Sequence, residues 1–413
     1  MSPGDDLMRT LGIGIFVVTY LLIAARRLRF AGLDRPAAAM LGAVACVALG
    51  VLSPDEAVDA VDGSTLLLLL GVMGMGAFLA ADGFFDRLEA HLVARARTPT
   101  RLLAVIVWGA GVLAALITND AVCVLGAPLV VRLVQRHRLP AVPFLLALAT
   151  GANTGSVATL VGNPQNMLCG ILGHLSFLDF ALRMTPVAVV GLAINHGLLA
   201  MMFRRELAAV ELAPPGPAEP LGRRNAVTLA VIAATAVAYA SGLPLAWTAA
   251  AGFIALVLLH RTDTRDLWGR IDWALLLFFA GLFVVVEGLV RSGAPAWAFA
   301  RFPLPALAAG PGGGAALATV FLVGSNVVSN VPFILVVREP MTQLPDPTLG
   351  WQLLAMASTF AGNLTLLGSV ANVIVAEAGR DVGSFGFWQH LRVGAPLALV
   401  TTALGTAWLL WLG

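Results

Sequence analysis

Apolar residues come in blocks along this chain, and the blocks are of two kinds. Those at 11–25, 37–52, 64–81, 180–203, 226–240, 245–260, 273–290 and 397–412 are nearly uninterrupted. They predict helices that cross a hydrocarbon layer about 30 Å thick. Four more, at 102–136, 142–172, 313–338 and 351–377, carry polar residues at their centres: "TND", "GANTGSVATLVGNPQN", "SNVVSN" and "AGNLTLLGSVAN". A backbone N–H or C=O freed from its helix costs several kcal/mol in lipid, so broken helix belongs only where it lines a cavity. The pattern predicts an all-α polytopic membrane protein with broken helices at mid-membrane.

The block at 102–136 is divided into arms of roughly 24 and 21 Å, short of a full crossing, and arginines flank both ends. A re-entrant hairpin is expected there. In the block at 313–338 only residues 331–337 follow the polar tip before "REP", about 10 Å of helix, so a second hairpin is expected. The blocks at 142–172 and 351–377 read as broken helices. After residue 81, Phe84, Phe85, Leu88, Leu92 and Val93 recur at helical spacing among charges, the pattern of an amphipathic helix at the membrane interface.

Both halves of the chain follow one plan. "TLVGNPQNML" at 159–168 is matched by "TLLGSVANVI" at 365–374, and the 23 residues from Val61 align without a gap to those from Ile271. Each half counts five crossings plus a hairpin that crosses nothing, and an odd number of crossings inserts the second copy upside down. Residues 1–203 and 226–413 are therefore expected to form an inverted-topology repeat, joined by a proline-rich cytoplasmic linker at 204–225. Opposed copies bring the interrupted stretches together at membrane depth.

Composition narrows the class. Of 413 residues 59% are hydrophobic and 12% charged, against about a quarter charged in soluble domains. Net charge is +2, and all 25 basic residues are arginine. They are spread through the loops, which places "RRLRFAGLDR" inside and "SPDEAVDAVDG" outside and argues against nucleic-acid binding. Cys46, Cys123 and Cys169 lie far apart in apolar blocks, so neither a disulfide framework nor a metal cluster is expected. "MSPGDDLMRT" is acidic where a signal peptide would be basic, so the first span is expected to be retained. The sequence contains no P-loop, zinc-protease motif or nucleophile elbow, which points away from an ATP-driven pump, an enzyme or a bound cofactor.

The polar interruptions supply the candidate chemistry. Asn153, Thr154, Thr159, Gly162, Asn163, Pro164 and Asn166 form the first set, and Asn363, Thr365, Gly368, Ser369 and Asn372 the second. A broken helix exposes amide N–H groups at the start of one piece and carbonyls at the end of the other, which together hold an anion and a cation side by side. At the hairpin tips Thr118 and Asn119 correspond to Ser329 and Asn330. Asp120, with Val331 in the matching place, coordinates a cation, carries a proton or caps the second arm. Glu287 is an acid inside an apolar span and reads as a proton carrier, a counter-charge to Arg291 or a group reaching the outer interface.

Through "TND", "GANTGSVATLVGNPQN", "SNVVSN" and "AGNLTLLGSVANVIVAE" the chain resembles the ion transporter superfamily, nearest to bacterial anion permeases grouped with arsenite permeases, citrate carriers and divalent-anion/sodium symporters. The resemblance implies hairpins and broken helices that hold substrate and coupling ion, elevator-type movement, a homodimer and a bacterial inner-membrane location. The symporter branch carries Ser-Asn-Thr at both tips; here Asn119 and Asn330 match, as sites for sodium or substrate, and the full triads do not. The function expected is ion-coupled transport of a small anion or oxyanion, with protons or sodium as the coupling ion. The alternative is a sodium/proton antiporter using Asp120 and Glu287.

Overall fold

The computed structural model describes residues 3–24, 34–212, 220, 222–261, 263–310 and 312–413. Most of the loop "RRLRFAGLDR" and the centre of the linker, residues 213–219, lie outside the described residues, as does the side chain of Phe85. Among the described residues every regular element is helical. In the first half these are α1 (Pro3–Ala24), α2 (Arg35–Ala48), α3 (Pro54–Asp59), α4 (Gly63–Ala81), α5 (Phe84–Ala96), α6 (Pro99–Ile117), α7 (Asn119–His137), α8 (Ala141–Ser156), α9 (Pro164–Leu172), α10 (Phe177–Met202) and α11 (Arg204–Ala208). The second half has α12 (Arg223–Ala240), α13 (Leu245–His260), α14 (Thr264–Trp268), α15 (Trp273–Arg291), α16 (Ala294–Arg301) and α17 (Leu304–Ala309). It continues with α18 (Gly313–Val328), α19 (Asn330–Thr342), α20 (Pro347–Leu364), α21 (Val370–Ala378) and α22 (Phe387–Leu412). The succession of long and short helices from α2 to α10 recurs from α13 to α22, with α17 as the addition.

Local chemistry sets these boundaries. Asp62 and Asp272 accept the backbone N–H groups of Thr65 and Leu275, starting α4 and α15 at matching positions. Ser53 and Glu56 close a capping box on α3. Proline stands in the first turn of α6, α9 and α20, where its missing N–H costs nothing. Helices α4, α6, α10, α15 and α22 are long and apolar enough to cross a membrane.

Four expectations are corrected. The arms of the first hairpin are 19 residues each, about 28 Å, because α6 begins behind the Thr98 cap and α7 runs on to His137. The second arm of the other hairpin does not stop at Val337; α19 is 13 residues long and carries Arg338 and Glu339. Pairing of Arg338 with Glu287 across to α15 keeps a charge inside the helix. Residues 223–225, assigned to the linker, form the first turn of α12, where Asn225 bonds back to the Gly222 N–H. The last helix begins ten residues before the apolar block, as Gly386 N–H is met by Gln389.

The core lies around α8 and α20, which are buried along nearly their whole lengths. Close approach is made by glycine: a Cβ on Gly155 would sit 2.2 Å from Gly111 Cα, and one on Gly151 2.8 Å from the Val107 carbonyl, so α8 lies directly on α6. Contacts between halves are reciprocal. Gly71 of α4 meets the backbone of Ala249 in α13, and Gly281 of α15 meets the backbone of Ala39 in α2.

Candidate functional site

Both hairpins turn on a single residue in the left-handed region, Thr118 at φ 92° and Ser329 at φ 73°. Neither is glycine, so the turns are strained by about 1–3 kcal/mol each. Thr118 offsets part of this as the N-cap of α7, accepting the Ala121 N–H; the cap is thus Thr118, not Asp120. Each tip is fastened to the facing broken helix at the matching glycine carbonyl: Asn119 N–H donates to Gly162 O at 2.8 Å, and Asn330 Nδ2 donates to Gly368 O at 3.2 Å.

The breaks themselves are closed by asparagine. Asn166 Nδ2 donates to the carbonyls of Ser156 and Thr159 at 3.2 and 2.9 Å. Asn372 Nδ2 donates to those of Gly362 and Thr365 at 2.7 and 3.2 Å. The Thr159 and Thr365 carbonyls also accept the Gly162 and Gly368 N–H groups, so each asparagine ties its turn to the end of the preceding helix. Asn163 caps α9 by accepting the Asn166 N–H at 2.8 Å, and Ser369 caps α21 by accepting that of Ala371. Gly162 and Gly368 pass so close to the preceding helix ends that a Cβ would lie 2.0 Å from Ser156 O and 2.7 Å from Ala361 O.

Asn153 joins the halves. Its Oδ1 accepts from Asn119 Nδ2 at 2.8 Å and Ser369 Oγ at 3.1 Å, while its Nδ2 donates to Asn363 Oδ1 at 3.2 Å and Asn372 Oδ1 at 2.9 Å. Asn363 donates in turn to Thr154 Oγ1 at 3.0 Å. Asn163 donates to Thr359 Oγ1 and Thr359 to Asn166 Oδ1. These are neutral bonds in a water-poor interior, where a satisfied network fixes geometry and a broken one is costly.

Most of the candidates therefore fall into two groups, with Asn119 and Ser369 both lining the cavity and bonding Asn153. Asn153, Thr154, Asn163, Asn166, Asn363 and Asn372 are buried and spend their hydrogen bonds on the protein. Thr159 bonds the Ala115 carbonyl and Thr365 the Asn326 side chain. Asn119, Asp120, Pro164, Ser329, Asn330, Gly368 and Ser369 line a cavity of about 200 Å³, together with Tyr20, Arg35, Gln165, Ser325 and Asn326. Four helices, α7, α9, α19 and α21, begin at this cavity, so their N-terminal partial charges converge on it. Arg35, at the start of α2, adds a full positive charge within Coulombic reach of Asp120. The buried Asn330 Oδ1 and Ser325 Oγ have no hydrogen-bond partner among the described residues.

Tyr20 and Arg35 went unread in the sequence because nothing near them repeats; they reach the cavity only through the packing of α1 and α2. Ser325 and Asn326 were legible as the first half of "SNVVSN", and Gln165 within "GNPQN". Glu287 is placed elsewhere, bonded by Arg291 at 3.3 Å and Arg338 at 2.6 Å beside a separate charged cavity. No cluster of metal-ligating side chains is found among the described residues.

Residues 20–361, most of the chain, match the model of a family described as citrate transporter. The chain belongs to the citrate transporter family. It is accordingly a multi-pass membrane transporter, not an enzyme, within the ion transporter superfamily. It is similar to the silicon efflux transporter LSI3 of Oryza sativa subsp. japonica, 31% identical over 97% of this chain and 96% of that one. It is also similar to a 46 kDa membrane protein of Mycobacterium leprae, 28% identical over 98% and 99%, and to a transporter named arsB of Dictyostelium discoideum, 23% identical over 95% and 90%. The Alcanivorax borkumensis YdaH transporter, whose crystal structure reveals an unusual topology, superposes over 100% of this chain and 98% of that one with a TM-score of 0.53 at 16% identity. That likeness concerns the fold alone.

Proposed function

We propose that this member of the citrate transporter family is an ion-coupled secondary transporter of a small anion or oxyanion, held in the cavity between the two hairpin tips. The observation that carries the reading is the convergence of four helix N-termini and Arg35 on one small cavity. Amide N–H groups at helix starts bind anions without a buried counter-charge, and hydroxyl and amide side chains adapt to an oxygen-rich cargo. Asp120 is the coupling group, a carboxylate in the cavity wall that takes up a proton or helps to hold sodium. Glu287 does not share that cavity, which disfavours an antiporter built on the two acids together.

The halves form an inverted-topology repeat across a bacterial inner membrane. Support comes from the recurring helix order, the reciprocal Gly71–Ala249 and Gly281–Ala39 contacts, and the matched fastening of both tips. The hairpins and broken helices move as one body against α1, α2, α4, α12, α13 and α15, an elevator-type exchange of access, and the static body supplies a homodimer interface.

Purified protein in liposomes, offered radiolabelled citrate, arsenite and inorganic oxyanions under imposed proton or sodium gradients, tests the reading. Gradient-dependent anion flux, lost in Asn330→Ala and Arg35→Gln, is expected. Sodium/proton exchange in the absence of every anion would replace it with the antiporter.

A further inference from the structure

A second cavity, of about 490 Å³, lies at the far end of the seam between α15 and α19. The cavity of the candidate site is lined from this seam by Leu275, Phe278 and Phe279 of α15 and by Asn330 and Val331 of α19. The second is lined by Phe283 and Glu287 of α15 and by Leu335 and Arg338 of α19. Along the stretch of α15 and α19 from one cavity to the other, Phe279, Phe283, Ile334 and Leu335 are all buried, with the two phenylalanine rings 6.5 Å apart. One groove thus has a polar chamber at each end and an apolar plug in the middle.

Among the described residues, the ion pair that joins α19 to α15 beside that plug is Arg338 Nη2 to Glu287 Oε2, at 2.6 Å. It is held on the α15 side by a chain: Glu287 bonds Arg291 at 3.3 Å, and Arg291 bonds Glu56 of α3 at 2.9 Å. The Ser53 backbone N–H keeps the Glu56 carboxyl below its ordinary range, so the anchoring end of the chain stays anionic. Arg338 alone of these groups rides on the second hairpin. The chain runs along α3 and α15, and among the described residues it crosses to α19 through the Arg338–Glu287 bond.

We propose that the second cavity is the other mouth of the translocation path and that Glu287–Arg338 is the clasp that holds this mouth shut in the state seen here. The inference rests on the transporter reading, and it gives Glu287 the work of a gate rather than of a proton carrier. Opening requires α19 to leave α15, which parts the arginine from the glutamate and draws Ile334 and Leu335 away from Phe279 and Phe283.

Leu335→Cys places a thiol in the plug, in a protein whose three native cysteines are buried. Its modification by a membrane-impermeant maleimide, in closed vesicles, reads the clasp without any cargo. With the clasp intact modification is slow; adding Arg338→Gln or Glu287→Gln should speed it about ten-fold or more, as a population shift of that size implies. Arg338→Lys, which keeps the charge, should remain slow. Arg291→Gln is the decisive control, for it strips the same carboxylate of an ion pair without touching α19 and should also remain slow. Slow labelling in Arg338→Gln, or equal opening by Arg291→Gln, overturns the clasp. Failure of the anion panel would instead remove the transporter reading, whatever the labelling shows.

Discussion

Thr118 and Ser329 hold the same forbidden backbone, yet they are not equivalent. Thr118 recovers a cap bond from Ala121, whereas the Ser329 side chain makes no capping bond. Glycine at either site relieves the left-handed strain. Ser329→Gly should therefore raise thermal stability in detergent by about 1 kcal/mol, while Thr118→Gly gains little because a lost cap costs about the same. Ser329 lines the cavity, so the stabilised variant should transport more slowly; equal flux would detach the tip hydroxyl from the cargo. Asn153 is the opposite case. Its amide makes four bonds to four other polar side chains, and Asn153→Ala strands each partner in a dry interior. A loss of about 3 kcal/mol or more is expected, against about 1 for Ser369→Ala, read as the difference in unfolding midpoint.

At the scale of elements, glycine decides how closely helices lie. Gly155→Ala would press a methyl group onto the Gly111 backbone, which has no rotamer by which to yield, and should cost more than about 3 kcal/mol by forcing α8 off α6. Gly197→Ala, in α10 with nothing within 4 Å of the new carbon, should stabilise by about 0.5–1 kcal/mol through helix propensity. Unfolding midpoints of the pair check this directly, and similar values would mean that the α6–α8 contact is looser than described. The same elements show what the sequence could tell. Apolar blocks and their polar breaks located α6 to α9 and α18 to α21, because lipid and a dry core penalise the same groups. Blind spots lay where a partner distant in sequence changes a residue's cost: Arg338 extends α19 because Glu287 receives it, and Arg35 faces the cavity because α2 packs on α15. Whether an asparagine faces cargo or closes a helix break was also illegible. Asn119 and Asn166 are the same residue type in the same sort of motif, and only the turn carbonyls near Asn166 assign it to the backbone.

Across the whole molecule two sets of hydrogen bonds between the halves bear on the expected division, beside others that tie the end of α4 to α12 and α10 to α20 and α22. Those centred on Asn153, Asn163 and Thr359 tie α8 and α9 to α20 and α21 through many buried bonds, and the proposed movement keeps such a cluster intact. Among the described residues Tyr20 in α1 reaches α18 through one hydrogen bond, its hydroxyl donating to the Val327 carbonyl at 2.5 Å beside the second tip. Motion of hairpins and broken helices as one body must break that bond and spare the cluster. Paired cysteines distinguish the two. Gly173 and Trp351, in contact where α9 ends against α20, lie on the same side of the expected division; a disulfide between Gly173→Cys and Trp351→Cys should leave anion flux within about two-fold of the reduced protein, since it restrains nothing that moves. A thiol-reactive cross-linker joining Tyr20→Cys to Val327→Cys should arrest flux, and cleaving the linker should restore it. Arrest by the first pair, or free flux through the second, would move the boundary of the mobile body to a different set of helices.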